Sequence, residues 1–202
     1  MKTIKCNCNN IDSMKERDYL PISLDDAMEL PTILTISTRK TIAIIDGLED
    51  GKLMRLVRHY GKNDLSAAAV FASIFRSGCT MFYHKYNNIL ENLVKCECDR
   101  IFNNELFPEM STSLTIQFKF GTEKYKVTIS DADRKNIKWW SKTLDCAMMD
   151  LGSYLILKAI SSATTKTTPQ YLIDECIEKV TAFEHGIDAV IKIRTEILKI
   201  VV

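Results

Sequence analysis

Glycine and proline are scarce in this chain, whose 202 residues include 7 glycines and 4 prolines. Both residues interrupt regular elements, so their scarcity favours long helices without breaks. An excess of charge of one sign is also missing, because 27 basic and 26 acidic residues leave a formal net charge of +1. This balance removes any whole-chain argument for nucleic acid or for an acidic substrate, and it leaves only local basic patches to consider.

Long hydrophobic runs are absent as well. Residues 1–18 lack the apolar stretch of a secretory signal, and the most apolar window, residues 65–83, contains Arg76. A membrane span needs ~20 predominantly apolar residues, so we expect no transmembrane segment. Seven cysteines, an odd number, favour free thiols in a reducing compartment when no export signal is present. We therefore expect a cytoplasmic protein, with the nucleus or the interior of a virion as the alternatives.

The middle of the chain carries the clearest secondary-structure pattern. Apolar and polar side chains alternate over residues 114–120 and again over 125–129, with Gly121 between the two runs, which predicts a β-hairpin. Ser130 then suits the N-cap of a helix that has two aspartates in its first turn. Over residues 137–155, apolar side chains recur at spacings of three and four and predict one long helix.

Three further helices and a second ribbon are predicted around this segment. Runs rich in β-branched residues at 32–37 and 41–45 predict a less regular hairpin. Apolar stripes predict helices over residues 49–60, from a cap at Asn63 or Asp64 to residue 98, and from Pro169 towards the C-terminus. Glycine is expected to disturb two of these helices, as a bend at Ser77-Gly78 and an interruption at His185-Gly186.

The predicted fold class is a helix-rich α+β protein, in which three long amphipathic helices pack with one or two small antiparallel β-hairpins. Its predicted organisation is a mobile N-terminal arm (1–20), a globular core (21–160), a linker of small polar residues (161–168) and a C-terminal helical segment (169–202). The last segment is apolar to its end. We expect it to dock on the core or on a second copy, because such a stripe would otherwise be exposed.

Catalytic and metal-binding patterns are weak. The chain has no GxxxxGK[ST], GxGxxG or HExxH motif, and Cys79 lies on an apolar stripe without sharing a helix face with His84. We therefore predict that the protein is not an enzyme and needs no cofactor. The spacing within two C-x-C pairs is tighter than structural zinc sites use, so we predict no metal site. The weak candidate ligands are Cys6, Cys8, Cys96 and Cys98.

Two sets of side chains suggest contacts with partners. A basic patch on the predicted 49–60 helix and its flanks has the charge to bind phosphates of RNA or of an acidic membrane surface. The alternative is a solvated face that Glu49 and Asp50 balance. The patch comprises Arg39, Lys40, Lys52, Arg55, Arg58 and Lys62. A smaller group is Lys135, Lys138 and Lys142. The apolar C-terminal residues predict self-association into a homo-oligomer: Ile187, Val190, Ile191, Ile197, Leu198 and Val201.

These features favour a non-enzymatic structural or assembly protein that self-associates and contacts an anionic partner. The size, the polar arm, the ribbons and the basic patch together resemble, in a general way, small assembly or matrix proteins of RNA viruses. Many isoleucines, asparagines and lysines with few glycines and prolines also fit the alternative, a viral accessory protein that binds and inhibits a host factor.

Overall fold

A computed structural model of the chain describes residues 39–60, 66–102, 123–163 and 168–200. The elements in chain order are β1 (Arg39–Ile45), a 3-10 turn (Glu49–Gly51), α1 (Lys52–Tyr60), α2 (Ala67–Phe82), a π-helical turn (Tyr83–Asn87), α3 (Asn88–Phe102), β2 (Lys124–Ser130), α4 (Asp131–Leu144), α5 (Met148–Ser162) and α6 (Gln170–Ile200). Helix α2, the π-helical turn and α3 follow one another directly and form one long helix. The predicted helix-rich α+β class is confirmed, with five helices in these ranges instead of three.

The sheet consists, within the described ranges, of β1 and β2 in antiparallel pairing. Ile42 lies opposite Val127 and Ile44 opposite Tyr125, which places one apolar face towards the core. Each strand is the second run of a predicted hairpin, so the structure pairs the two runs with each other. The first runs of those hairpins, residues 32–37 and 114–120, lie outside the described residues, as does the predicted arm (1–20).

Helix α5 is the centre of the core. All of residues 151–157 are buried, and the helix packs against α2, α6 and β1. A helix covered on several sides must be apolar nearly all round, which its sequence satisfies. Its contact with α2 is very close at one point, because a Cβ added to Gly78 would lie 2.0 Å from the carbonyl oxygen of Leu155. Gly78 therefore allows close backbone contact between two helices.

Capping side chains explain where two helices begin. The Ser130 hydroxyl accepts a hydrogen bond from the backbone N–H of Asp133 at 3.0 Å, as predicted for the start of α4. Helix α2 begins after Ser66, whose hydroxyl accepts from the N–H of Ala69 at 3.3 Å. The expected cap at Asn63 or Asp64 was therefore wrong by a few residues, because the serine supplies the same acceptor.

The long helix predicted over residues 137–155 is two helices. Helix α4 ends at Leu144, and Asp145 takes a left-handed conformation with φ of 52°. An aspartate tolerates this conformation better than most residues, because its short polar side chain bonds locally. By contrast, α6 runs through His185-Gly186 without the predicted interruption. Gly78 likewise does not end α2, and the irregular turn follows at Tyr83–Asn87.

Helix α6 packs along α5 in the same core. Its apolar stripe from Leu172 to Val190 belongs to the core. Within the set predicted for self-association, Ile187, Val190 and Ile197 are buried, whereas Ile191 and Leu198 are partly buried and Val201 lies outside the described residues. The chain thus buries Ile187, Val190 and Ile197 against its own side chains, which corresponds to docking on the core, the first of the two expected alternatives. Self-association through Ile191, Leu198 and Val201 stays a prediction.

Helix α5 extends into the predicted linker. Helix α5 continues through Ser162, so the first two residues of the predicted linker are helical, and residues 164–167 lie outside the described ranges. Across the described helices, none combines the length and the apolar character that crossing a bilayer requires.

Candidate functional site

The outer face of α1 carries two exposed arginines. Leu53, Leu56 and Val57 are buried and hold the helix on the core, so Arg55 and Arg58 point to solvent on the other side. Arg55 donates from Nη2 to the carbonyl oxygen of Asp50 at 3.1 Å. Within the described residues neither guanidinium has a carboxylate partner, so both charges remain available to an anion.

Lys52, in the same predicted patch, is already neutralised. Its Nζ lies 2.6 Å from Glu175 Oε2 and 3.6 Å from Glu49 Oε2, and the hydrogen bond to Glu175 raises the pKa of Lys52. Glu175 also accepts the backbone N–H of Glu49 at 3.0 Å. Lys52 therefore ties α1 to α6, and its assignment as an anion ligand is corrected by this ion pair.

Of the remaining members of that patch, the structure describes the position of Lys40, which lies away from α1. Lys40 is half-buried in β1 opposite Ile129, at the end of the sheet away from the turn that leads to α1. The side chain of Arg39 and all of Lys62 lie outside the described residues. The described part of the predicted patch therefore reduces to Arg55 and Arg58.

Helix α4 presents a larger basic face. Ile137, Trp140 and Leu144 are buried on its inner side. Its outer side exposes four cations at helical spacing, here named the α4 basic face: Arg134, Lys135, Lys138 and Lys142. One of them pairs with an acid among the described residues, through the 3.2 Å contact of Lys135 Nζ with the exposed Asp131 Oδ2. The group that seemed secondary from the sequence is thus the better candidate for an anionic partner.

Two consecutive tryptophans take different environments on α4. Trp140 is fully buried, and its Nε1 donates to Asn87 Oδ1 at 2.9 Å. Trp139 is partly buried at the edge of the core. Its position directly after Lys138, and one helical turn from Lys135 and Lys142, places its indole at the border of the α4 basic face. The apolar spacing places Trp140 on the stripe with Ile137 and Leu144 and leaves Trp139 off it, but the spacing does not show that Trp139 borders a basic face.

A hydrogen-bonded acid pair lies where β1 ends and β2 begins. Tyr125 Oη lies 3.2 Å from Asp46 Oδ2 and 2.6 Å from Glu123 Oε2, while Asp46 Oδ1 accepts the N–H of Leu48 at 3.0 Å. A phenol has one proton and can donate to only one carboxylate. If one of the two carboxyl groups is protonated, it can donate to Tyr125 Oη while the phenol donates to the other carboxylate. Burial raises the pKa of Asp46, and the charges of Glu123 and Glu175 add to this rise, so Asp46 is the carboxyl that most readily holds that proton.

A second polar cluster joins the π-helical turn to α5 and α6. Glu184 accepts hydrogen bonds from Lys85 Nζ at 2.8 Å and from Tyr154 Oη at 3.0 Å, and it pairs with Lys158 Nζ at 3.1 Å. Burial acts to raise the pKa of Glu184, but these donors outweigh it and the pKa falls. The nearby Tyr86 hydroxyl is buried, and burial raises its pKa to about 12, an effect that Lys85 partly opposes. The two lysines are engaged here by one carboxylate.

The described thiols are poorly suited to nucleophilic chemistry. Burial raises the pKa of Cys79 well above its ordinary value, and it raises the pKa of Cys146 and Cys176 to about 12. Only a thiolate is an effective nucleophile or metal ligand. Of the candidate zinc ligands, Cys96 is exposed and Cys98 half-buried, and Cys6 and Cys8 lie outside the described residues. Where the structure is described, no three His, Cys, Asp or Glu side chains are grouped to hold a metal ion.

Comparison with known proteins adds no relative. No protein-family model, curated protein or solved structure matches this chain significantly. The described residues define the class of protein that can be stated, a helix-rich α+β protein with two separate basic helix faces. Any function must therefore be argued from those faces.

Proposed function

We propose that this protein is a non-enzymatic assembly protein that binds RNA phosphates through the α4 basic face, with Arg55 and Arg58 on α1 as a second point of contact. One observation supports this most strongly. The α4 basic face holds four exposed cations within about 12 Å along the helix, and one described carboxylate offsets them. Their fields add, and a polyanion that binds there gains by releasing its counterions.

Between RNA and an acidic membrane, the burial of α4 favours RNA. A helix that lies in a lipid interface inserts its apolar side between the headgroups. The apolar side of α4, with Ile137, Trp140 and Leu144, is instead buried in the core of the protein. Surface attraction alone would then contribute about 1 kcal/mol per lysine or arginine. Acidic vesicles therefore serve as the competing ligand in the test.

Self-association remains a prediction from the sequence, and the exposed apolar side chains of α6 do not supply a contact surface for it. The described apolar side chains that α6 leaves strongly exposed are Tyr171, Ile177 and Ile193. Ile177 and Ile193 are about 24 Å apart along the helix, so they do not form one patch. The alternative of a viral accessory protein that inhibits a host factor depends on composition alone.

The test is RNA binding by charge-reversed variants. Fluorescence anisotropy of a labelled 20-nucleotide RNA would be measured over a salt series for wild type, Lys138→Glu/Lys142→Glu and Arg55→Glu/Arg58→Glu. The matched control is Lys95→Glu/Lys192→Glu, which changes charge equally at exposed lysines of α3 and α6. The α4 variant should bind at least ~10-fold more weakly, with a salt slope smaller by about 1.4, because each lost phosphate contact contributes about 0.7.

Three outcomes would contradict the proposal. The control could lose as much affinity as the α4 variant, which would reduce the effect to net charge. The α4 variant could bind RNA like wild type, which would exclude the α4 basic face as the RNA-binding surface. Wild type could also bind acidic vesicles and not RNA, which would make the membrane the partner.

A further inference from the structure

We infer that the RNA bound at the α4 basic face is single-stranded, and that Trp139 stacks on one of its bases. This inference rests on the proposed function and adds the class of nucleic acid. The cations of α4 can contact phosphates, but single-stranded RNA, duplex RNA and other polyphosphates all have these groups. The partly exposed indole of Trp139 beside them has no role in binding a phosphate, so it points to a ligand that also has bases.

The position of Trp139 carries the inference. Its indole is partly buried against the core, which fixes the ring at the edge of the α4 basic face instead of leaving it free to fold away. Lys138 precedes it, and Lys135 and Lys142 lie one helical turn to either side. Proteins that hold single strands combine a positive track for the backbone with aromatic rings on which bases stack. The α4 basic face and Trp139 supply both elements side by side.

A duplex fits this arrangement less well than a single strand. In a helix of paired RNA the base faces are covered by their stacked neighbours, and a side chain reaches bases mainly where they are unpaired. The ring of Trp139 could therefore meet only phosphates and sugars of a duplex. A single strand can place phosphates on Lys138 and Lys142 while one base turns towards the indole.

The two tryptophans make stacking directly measurable. The chain has 2 tryptophans, and Trp140 is fully buried and hydrogen-bonded to Asn87. Quenching of tryptophan emission by a bound ligand should then come from Trp139. Three probes of equal charge separate the contributions: a single-stranded oligouridylate, a blunt RNA duplex and inorganic polyphosphate.

The expected results differ for each probe and variant. Polyphosphate should bind without quenching, the oligouridylate should bind and quench, and the duplex should bind more weakly than the oligouridylate without quenching. Trp139→Phe should lose the signal and keep most of its affinity, because phenylalanine still stacks. Trp139→Leu should bind the oligouridylate roughly 5- to 150-fold more weakly and bind polyphosphate like wild type. Circular dichroism of both variants checks that they fold.

Failure of this inference is distinguishable from failure of the proposed function. If all three probes bind equally and Trp139→Leu behaves as wild type, the base-stacking role is refuted while the phosphate contact stands. If polyphosphate and both RNAs fail to bind, the proposed function is refuted as well. Quenching by acidic vesicles without quenching by the oligouridylate would assign the indole to a lipid surface and overturn the inference.

Discussion

Replacing Gly78 with alanine would perturb a very close backbone contact between α2 and α5. An added Cβ at this position would lie 2.0 Å from the carbonyl oxygen of Leu155, 2.6 Å from its carbonyl carbon and 3.0 Å from its Cα. All three are backbone atoms of α5, so no side-chain rotation can make room. Helices α2 and α5 would have to move apart, or α2 would have to bend.

The magnitude follows from two opposing effects. Alanine in a helix interior gains about 1 kcal/mol over glycine. Relieving the contact requires a shift of more than about 1 Å in a core packed like a crystal, and overpacking of this kind costs 1–3 kcal/mol and sometimes more. Because the obstacle is backbone in the central helix, we expect the cost to exceed that range and the net loss to be about 2–4 kcal/mol. A domain stable by only 5–15 kcal/mol would show this clearly.

The matched control is Gly152→Ala in α5. Its Cβ would meet side chains, with Ile44 Cγ2 nearest at 2.9 Å, and relieving this contact takes a shift of about 0.5 Å, which is smaller than the shift at Gly78. We expect this variant to stay within about 1 kcal/mol of wild type. Urea unfolding followed by circular dichroism measures both. The reasoning is refuted if Gly78→Ala unfolds at the wild-type midpoint, or if the control loses as much stability.

Three further outcomes can be checked on the purified protein. The raised pKa of Asp46 means that its contribution to stability is fully present below the ordinary value of 3.8 and is lost as pH rises through the raised value. The side-chain amide of Asp46→Asn can donate to Tyr125 Oη at any pH, so this variant should not lose stability as pH rises. In urea melts at pH 7 it should be more stable than wild type by about 1 kcal/mol, and a less stable variant would contradict the prediction. Arg194→Met should cost about 2 kcal/mol in thermal unfolding, because the paired Glu97 loses both hydrogen bonds, and a wild-type melting temperature would disprove this. The exposed Cys96 should react with a thiol reagent before the buried thiols do. If the buried thiols reacted as fast as Cys96, the described burial would be contradicted.

Local patterns in the sequence predict several elements correctly. The alternation around Val127 and the cap at Ser130 depend on neighbouring residues alone, and both are found where expected. The pairing of β1 with β2 depends on residues about 85 positions apart, which no local period reveals. The break at Asp145 is hidden because the apolar spacing of three and four continues across it. A glycine such as Gly78 is equally ambiguous, because a glycine within a helix is compatible both with close helix packing and with a bend.

The functional candidates show the same limit. Exposure of Arg55 and Arg58 follows from the helical period, because their neighbours on the apolar stripe must be buried. Neutralisation of Lys52 by Glu175 joins residues 123 positions apart, so the sequence could not remove Lys52 from the patch. Similarly, an apolar terminal stripe predicts burial without saying whether the partner is the same chain or another.

The pairing of β1 with β2 also has a consequence for synthesis on the ribosome. Strand β1 leaves the exit tunnel roughly 85 residues before its partner, which at 5–20 residues per second is a wait of about 4–17 s. During that time this isoleucine-rich strand lacks β2, its pairing partner in the described part of the chain, while α1, α2 and α3 are already complete in the nascent chain. The central helix α5 follows later still. Nascent chains stalled before residue 124 should therefore depend on a chaperone, and those that extend past α5 should be released from it.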